Sequence, residues 1–381
     1  MYSIIYTIFM VALWGINLLN GTGMGIAYKT TEWASVIALV VAILCVAFRS
    51  LREGDIYIPH RYFYTLLPMV LVFVGSSLLN GAKLEGLEGF WVYLLIFILS
   101  KTRPNTTAIR MTCICYGVLG LVVLYVYDYM TILKGWNANT IAMIGLFSFL
   151  FFTIPFFGMK DWRSFIFMPL VGTAYVVLIL PTDSRSCILI IFIMLLLVLR
   201  IIPIKHVLAS NKGLVLMLLV PLAVLLSVCL FSLFGDMSGL TQWSIETFGK
   251  PIFNSRDEIW LSGFVLLRDS PFFGTARFNS GYWHNSAIAC LTAFGVVGYF
   301  FWIRLFYILL KEGQQYMDDT CVIGSMVAFV VLFCQQSVEL GIFAPNPSLL
   351  PYMMLGVLLG RVGLLKERKG AEKGPRQLVY R

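Results

Sequence analysis

Residues 213–234 read GLVLMLLVPLAVLLSVCLFSLF, without a single charged side chain. A run of that length, rising about 1.5 Å per residue as an α-helix, covers the roughly 30 Å hydrocarbon core of a bilayer. Comparable runs recur along the whole chain, at residues 3–22, 32–49, 62–79, 86–100, 109–132, 138–158, 164–181, 186–203, 213–235, 285–310, 319–339 and 348–365. Inside lipid, backbone N–H and C=O groups find no water, so each such run is confined to a helix that satisfies its own backbone. The predicted fold is therefore all-α: a polytopic membrane protein of about twelve transmembrane helices over residues 1–365, with a basic tail over 366–381. The stretch from Met1 to Asn17 lacks the basic flank and small-residue cleavage pattern of a signal peptide, which makes it a retained first span.

Composition removes the soluble classes. Hydrophobic residues make up 59% of the chain and charged residues 12%, against about 25% charged in globular proteins. In a soluble chain the net charge of +9 would suggest nucleic acid; here topology accounts for it, and no nucleic-acid partner is expected. One alternate set of connections, with the tail, carries 20 of the 28 Lys and Arg residues; the other carries only Lys29, Lys83, Lys134, Arg185, Lys250, Arg256, Arg268 and Arg277, although it includes the longest loop. By the positive-inside rule both termini are cytoplasmic and loop 236–284 lies outside. The tail sequence KERKGAEKGPRQ is suited to anionic membrane lipid. All eight cysteines fall in or beside apolar runs without metal-ligand spacing, so neither a metal nor another cofactor is expected.

The outer loop concentrates the chemistry. Its SRDEIWLSGFVLL segment offers Ser255 as an N-cap, acidic Asp257 and Glu258 in the first turn, and apolar residues at helical spacing, which together predict an amphipathic helix at the interface. DSPFFG, with Pro271 and Gly274, then ends it. His60 and His206 fall in basic connections, whereas His284 stands where the loop re-enters the membrane, a position that suits either a helix cap or a group that exchanges protons with an aqueous substrate. Arginine is costly near hydrocarbon and disfavoured outside, yet Arg185, Arg256, Arg268 and Arg277 are all there. Guanidinium stays charged and pairs with phosphate oxygens in bidentate fashion, so these positions point to anion recognition, with Arg268 expected instead to pair with adjacent Asp269.

The order TDSRS, SRDEIW, DSPFFG and then HNSAIACLTAFGVVG, over residues 180–310, resembles the O-antigen ligase and Wzy-type polymerase superfamily of bacterial envelope glycan enzymes. That resemblance implies a GT-C-like glycosyltransferase of the bacterial inner membrane. It would be metal-independent and inverting, and would use an undecaprenyl-diphosphate-linked oligosaccharide at the periplasmic face. It assigns Arg185 and Arg256 to the diphosphate, with Arg277 as a weaker contributor, and His284 to the acceptor hydroxyl. Tyr282, Trp283 and Asn285 are the further substrate-binding candidates, and a chain-length regulator is the implied protein partner. Trp260, Thr275-Ala276 and Ala293 depart from the pattern. The expected activity is repeat-unit polymerisation, with ligation to lipid A core as the alternative. The competing class is a solute transporter, which would need charge or a discontinuous helix at mid-membrane; Glu339 and Arg304 fall near span ends instead, and no internal repeat is seen.

Overall fold

The computed structural model describes residues 2–21, 60–81, 91–129, 137–157, 162–235, 238–249, 251–253, 255–276, 283–339, 341–343 and 348–372. These residues form helices α1 (Tyr2–Gly21), α2 (His60–Leu79), α3 (Trp91–Lys101), α4 (Thr106–Tyr129), α5 (Ala138–Thr153), α6 (Trp162–Ile179), α7 (Arg185–Val198), α8 (Ile204–Ala209), α9 (Asn211–Phe234), α10 (Ser238–Phe248), α11 (Arg256–Asp269), α12 (Ser286–Gln314), α13 (Thr320–Gln335) and α14 (Leu349–Glu372). No strand occurs among the described residues. The chain is an all-α, polytopic membrane protein. Seven helices (α2, α4, α5, α6, α9, α12 and α14) are long and apolar enough to cross a bilayer, while the apolar parts of α1, α3, α7 and α13 are shorter. The expected span at 32–49 lies outside the described residues.

Burial sorts the helices into a centre and a rim. The apolar windows of α5 and α14 are 83% buried, and α13 is enclosed along almost its whole length, whereas those of α2, α6 and α9 are about a third buried or less. A helix that is apolar all round either sits in the middle of a bundle or faces lipid, and these two groups represent the two cases. Polar side chains inside the bundle tie helices together rather than face one another at random. Tyr116 Oη donates to the Met10 carbonyl at 2.5 Å, Tyr175 Oη to the Gly117 carbonyl at 2.6 Å, and Trp14 Nε1 to Ser148 Oγ at 2.9 Å. Each bond satisfies a group that would be costly to leave bare in an apolar interior.

The bundle has two chemically different ends, separated by the roughly 24 Å rise of the 16-residue α13. At one end Arg361 pairs with Asp319, Lys366 with Glu312, Lys205 with Asp318 and Arg103 with Glu367. At the other end, just past α13, stand Arg256, His284 and Glu339.

Four of the twelve expected spans, at 3–22, 86–100, 186–203 and 319–339, thus correspond to shorter apolar helices, and a fifth, at 285–310, departs in its backbone. The apolar run at 285–310 predicts one continuous span, but α12 is broken at Gly295, whose φ of 66° and ψ of −171° are non-helical. The 19 residues beyond the break, Val296 to Gln314, rise about 28 Å and suffice to cross a bilayer core. Residues 286–294 form a separate, wholly buried half-helix. The physical reason lies in DSPFFG and the residues after it. Thr275 and Ala276 donate their N–H groups to the carbonyls of Thr292 and Ala293, both at 2.8 Å, and Val296 and Val297 donate to Pro271 and Phe272 at 2.9 and 3.2 Å. A broken helix leaves carbonyls and N–H groups without partners on either side of the break, and this loop supplies them from its own backbone. Neither glycine tolerates a side chain: a Cβ on Gly295 would lie 2.2 Å from the Phe272 carbonyl carbon, and one on Gly274 2.4 Å from that of Ala293. Ser76 and Asn80, at the end of α2, hold the loop from the opposite side through the carbonyls of Phe273 and Gly274.

Candidate active site

The half-helix of α12 begins where Asn285 caps it. With extended backbone at Asn285, its Oδ1 accepts from the N–H groups of Ala287 and Ile288 at 2.8 and 3.2 Å. Its Nδ2 donates outward, to the Pro221 carbonyl of α9 at 3.1 Å and to the Ser337 carbonyl at 2.9 Å. One amide side chain thus fixes α12 to α9 and to the turn that follows α13. Ser286 N–H and the Gln336 carbonyl add a backbone bond at 3.0 Å. Gln336 also accepts from Ile342 N–H through Oε1 at 2.9 Å, which pins the 336–342 segment against the core.

That segment carries Glu339, whose side chain is 10% exposed. Its two carboxylate oxygens go to two different partners: Arg256 Nη2 donates to Oε1 at 3.0 Å, and His284 Nδ1 lies 3.3 Å from Oε2. Arg256 is the first residue of α11, and His284 immediately precedes the cap of α12. His284 has a φ of 47°, a left-handed conformation that costs a non-glycine residue about 1 kcal/mol or more. The strain is held by Asn285 on one side and on the other by Trp260 Nε1, which donates to the Trp283 carbonyl at 2.5 Å. With a proton on Nδ1 toward the carboxylate, Nε2 would be the ring nitrogen that can accept one.

α11 is seated by its own contacts. Ser232 Oγ of α9 donates to Asp257 Oδ2 at 3.0 Å, and Gly263 packs on Ile288 and Trp283. Ser255 does stand at the N-cap position, but with a φ of 61° and no side-chain capping bond, so the cap expected from its sequence is not made. Arg268 pairs with neighbouring Asp269 at 3.7 Å on an exposed face, as its sequence context suggests, and takes no part in the cluster.

Arg256 and His284 of the sequence-derived candidates meet on one carboxylate. Arg185 opens α7 at the same end of the bundle. Two residues on, Cys187 Sγ contacts Met143 Sδ at 3.9 Å, which Gln335 Nε2 at the end of α13 approaches at 3.1 Å. Trp283 is 3% exposed with its ring against Gly263, and Asn285 is fully buried with its amide engaged on both sides. Both side chains are engaged in the packing of this end of the bundle. Arg277 and Tyr282 lie outside the described residues. Among the described residues no group of three His, Cys, Asp or Glu side chains could hold a metal ion.

Glu339 stands out in the sequence only as a charge near a span end, with no role attached to it. Its position near a span end counted only against a mid-membrane site. An isolated carboxylate at the edge of an apolar run is costly unless paired, and that cost is the signal that pointed to it. Comparison of the chain with protein-family models and with curated proteins finds no match.

Proposed function

We propose that this end of the bundle faces the periplasm of a bacterial inner membrane and transfers oligosaccharide repeat units from an undecaprenyl-diphosphate donor to a lipid-linked acceptor. The observation that carries the reading is the convergence of Arg256 and His284 on Glu339, because it sets an anion-binding group beside a proton-accepting one. In the reaction, the acceptor oxygen forms a bond to the anomeric carbon as the bond from that carbon to phosphate oxygen breaks. The hydroxyl proton passes to His284 Nε2, and the electron pair leaves with the diphosphate. Attack from the face opposite the leaving group inverts the anomeric centre. Arg256 engages Glu339 through Nη2, so Nη1 and Nε are available to phosphate oxygens. Arg185 supplies further positive charge from α7. Arginine in this role replaces a metal ion as the group that neutralises charge on the leaving diphosphate.

The test is the glycan made by cells. Arg256→Ala and Arg185→Ala should each slow transfer by about 10²- to 10³-fold, the usual loss when one charge-stabilising group is removed. Normal glycan amount and length in cells carrying either variant would overturn the assignment. A strain lacking the gene separates the two acceptors: single repeats on the lipid core indicate a polymerase, and polymer stranded on its carrier indicates a ligase.

A transporter is the second reading, and the break at Gly295 is the observation in its favour, because discontinuous helices often bind ions through their exposed ends. Here the N–H groups of Val296 and Val297 and the carbonyls of Thr292 and Ala293 all pair with residues 271–276. The broken ends therefore offer no ion a ready set of backbone ligands, and the enzyme reading is preferred. Labelled-solute uptake into proteoliposomes without glycan turnover would reverse that preference.

A further inference from the structure

Glu339 is oddly placed for a site that binds an anion. It is nearly buried, it carries negative charge, and it sits on the arginine that the proposed donor needs. Its two oxygens are divided between Arg256 and His284, groups from α11 and from the start of α12 to which the proposed reaction gives different roles. Of the acidic groups in the first turn of α11, Asp257 is hydrogen-bonded by Ser232 and Glu258 is exposed. Glu339 is thus the carboxylate shared between Arg256 and His284.

We infer that Glu339 is an exchangeable counter-ion: it occupies Arg256 while the donor is absent, gives up that arginine to the incoming diphosphate, and then serves His284 alone. This rests on the functional reading above. A carboxylate and a phosphate oxygen compete for the same guanidinium donors, and a diphosphate brings more charge and more acceptor atoms. Once displaced from Arg256, the carboxylate keeps its bond to Nδ1. It then stabilises the imidazolium that forms as the acceptor hydroxyl loses its proton. The same residue therefore weakens donor binding and assists the chemical step. It is a positioning residue, since it acts on the substrates through Arg256 and His284.

The two effects have opposite signs, which makes the inference testable with the full chain in nanodiscs. Farnesyl diphosphate and inorganic pyrophosphate serve as binding probes, and the lipid-linked donor reports turnover. Glu339→Gln keeps the shape and removes the charge. It should tighten farnesyl diphosphate binding by about tenfold, the equivalent of about 1.4 kcal/mol. It should also lower kcat by about 10- to 10²-fold, as expected for loss of support to a proton-accepting group. Adding Arg256→Ala to Glu339→Gln should abolish the gain in binding. Glu339→Asp, which restores the charge, should return both quantities toward wild type. Unchanged or weaker binding in Glu339→Gln, with wild-type binding still dependent on Arg256, would overturn the counter-ion role and leave the diphosphate reading standing. Failure of both probes to bind wild type and Glu339→Gln alike would overturn both. Tightening for pyrophosphate equal to that for the lipid probe assigns the gain to the diphosphate group itself. Tightening for the lipid probe alone would contradict direct competition at Arg256.

Discussion

Asn285 commits its whole side chain to architecture. The oxygen caps a helix and the nitrogen holds two carbonyls from other elements, all within a fully buried environment. Asn285→Ala is expected to cost about 2–4 kcal/mol, the sum of a lost cap and the carbonyls left bare. Asn285→Asp, which keeps the capping oxygen but turns a second oxygen on the two carbonyls in a buried site, should cost at least as much. Thermal unfolding of the purified protein in detergent measures both. Any loss of glycan transfer in Asn285→Ala should then follow the loss of folded protein. At this scale the sequence was informative about which residues matter and less so about what they do. His284 and Arg256 stand out because a charge at the edge of lipid needs a reason, and the structure brings them together. Trp283 and Asn285 stand beside them in sequence but serve the fold, because side-chain direction depends on a left-handed turn at His284 that no spacing reveals. Glu339 lies 55 residues further along the chain from His284, and only tertiary packing brings the two together.

Among the elements, α11, the 271–276 loop and the first half of α12 form one continuous construction. Gly295→Ala and Gly274→Ala each place a methyl group within 2.4 Å of backbone on the facing segment and force a positive φ on a residue with a Cβ. Backbone cannot give way as a flexible side chain can, so both should lose several kcal/mol and yield little folded protein, scored by size-exclusion profile and protease resistance. Ala276, with a φ of 54°, is the internal control. Ala276→Gly relieves the strain but adds freedom to the unfolded chain, and its stability should stay within about 1 kcal/mol of wild type. The sequence named both glycines as breakers or motif residues. It did not show that they close on each other, because periodicity over 285–310 is that of an unbroken apolar helix and one glycine barely alters it.

For the whole molecule, helix positions were legible because bilayer thickness fixes a length that composition must match. Seven of the expected runs fall on helices long and apolar enough to cross a bilayer, one of them broken at Gly295, and four others fall on shorter apolar helices. What run length could not convey is which helices are central, because α9 and α13 are equally apolar although one lies at the rim and the other is enclosed. Charge at the two ends extends the argument to sidedness. Lys205 hydrogen-bonds Asp318 and holds its carboxyl below the ordinary value, at the end where the other basic pairs gather. If that end is cytoplasmic, a cysteine placed at exposed Gln242 should react with a membrane-impermeant maleimide in intact spheroplasts. One placed at exposed Glu367 should react only after permeabilisation. The reverse pattern would put the arginines on the wrong side for a periplasmic donor.

The clasp around Gly295 also limits how this end can move. Four backbone bonds stitch residues 271–276 to both sides of the interrupted helix, and Ser76 and Asn80 anchor them from behind. The loop that follows α11 and both halves of α12 are thereby joined to the end of α2, so these segments can shift only as one body.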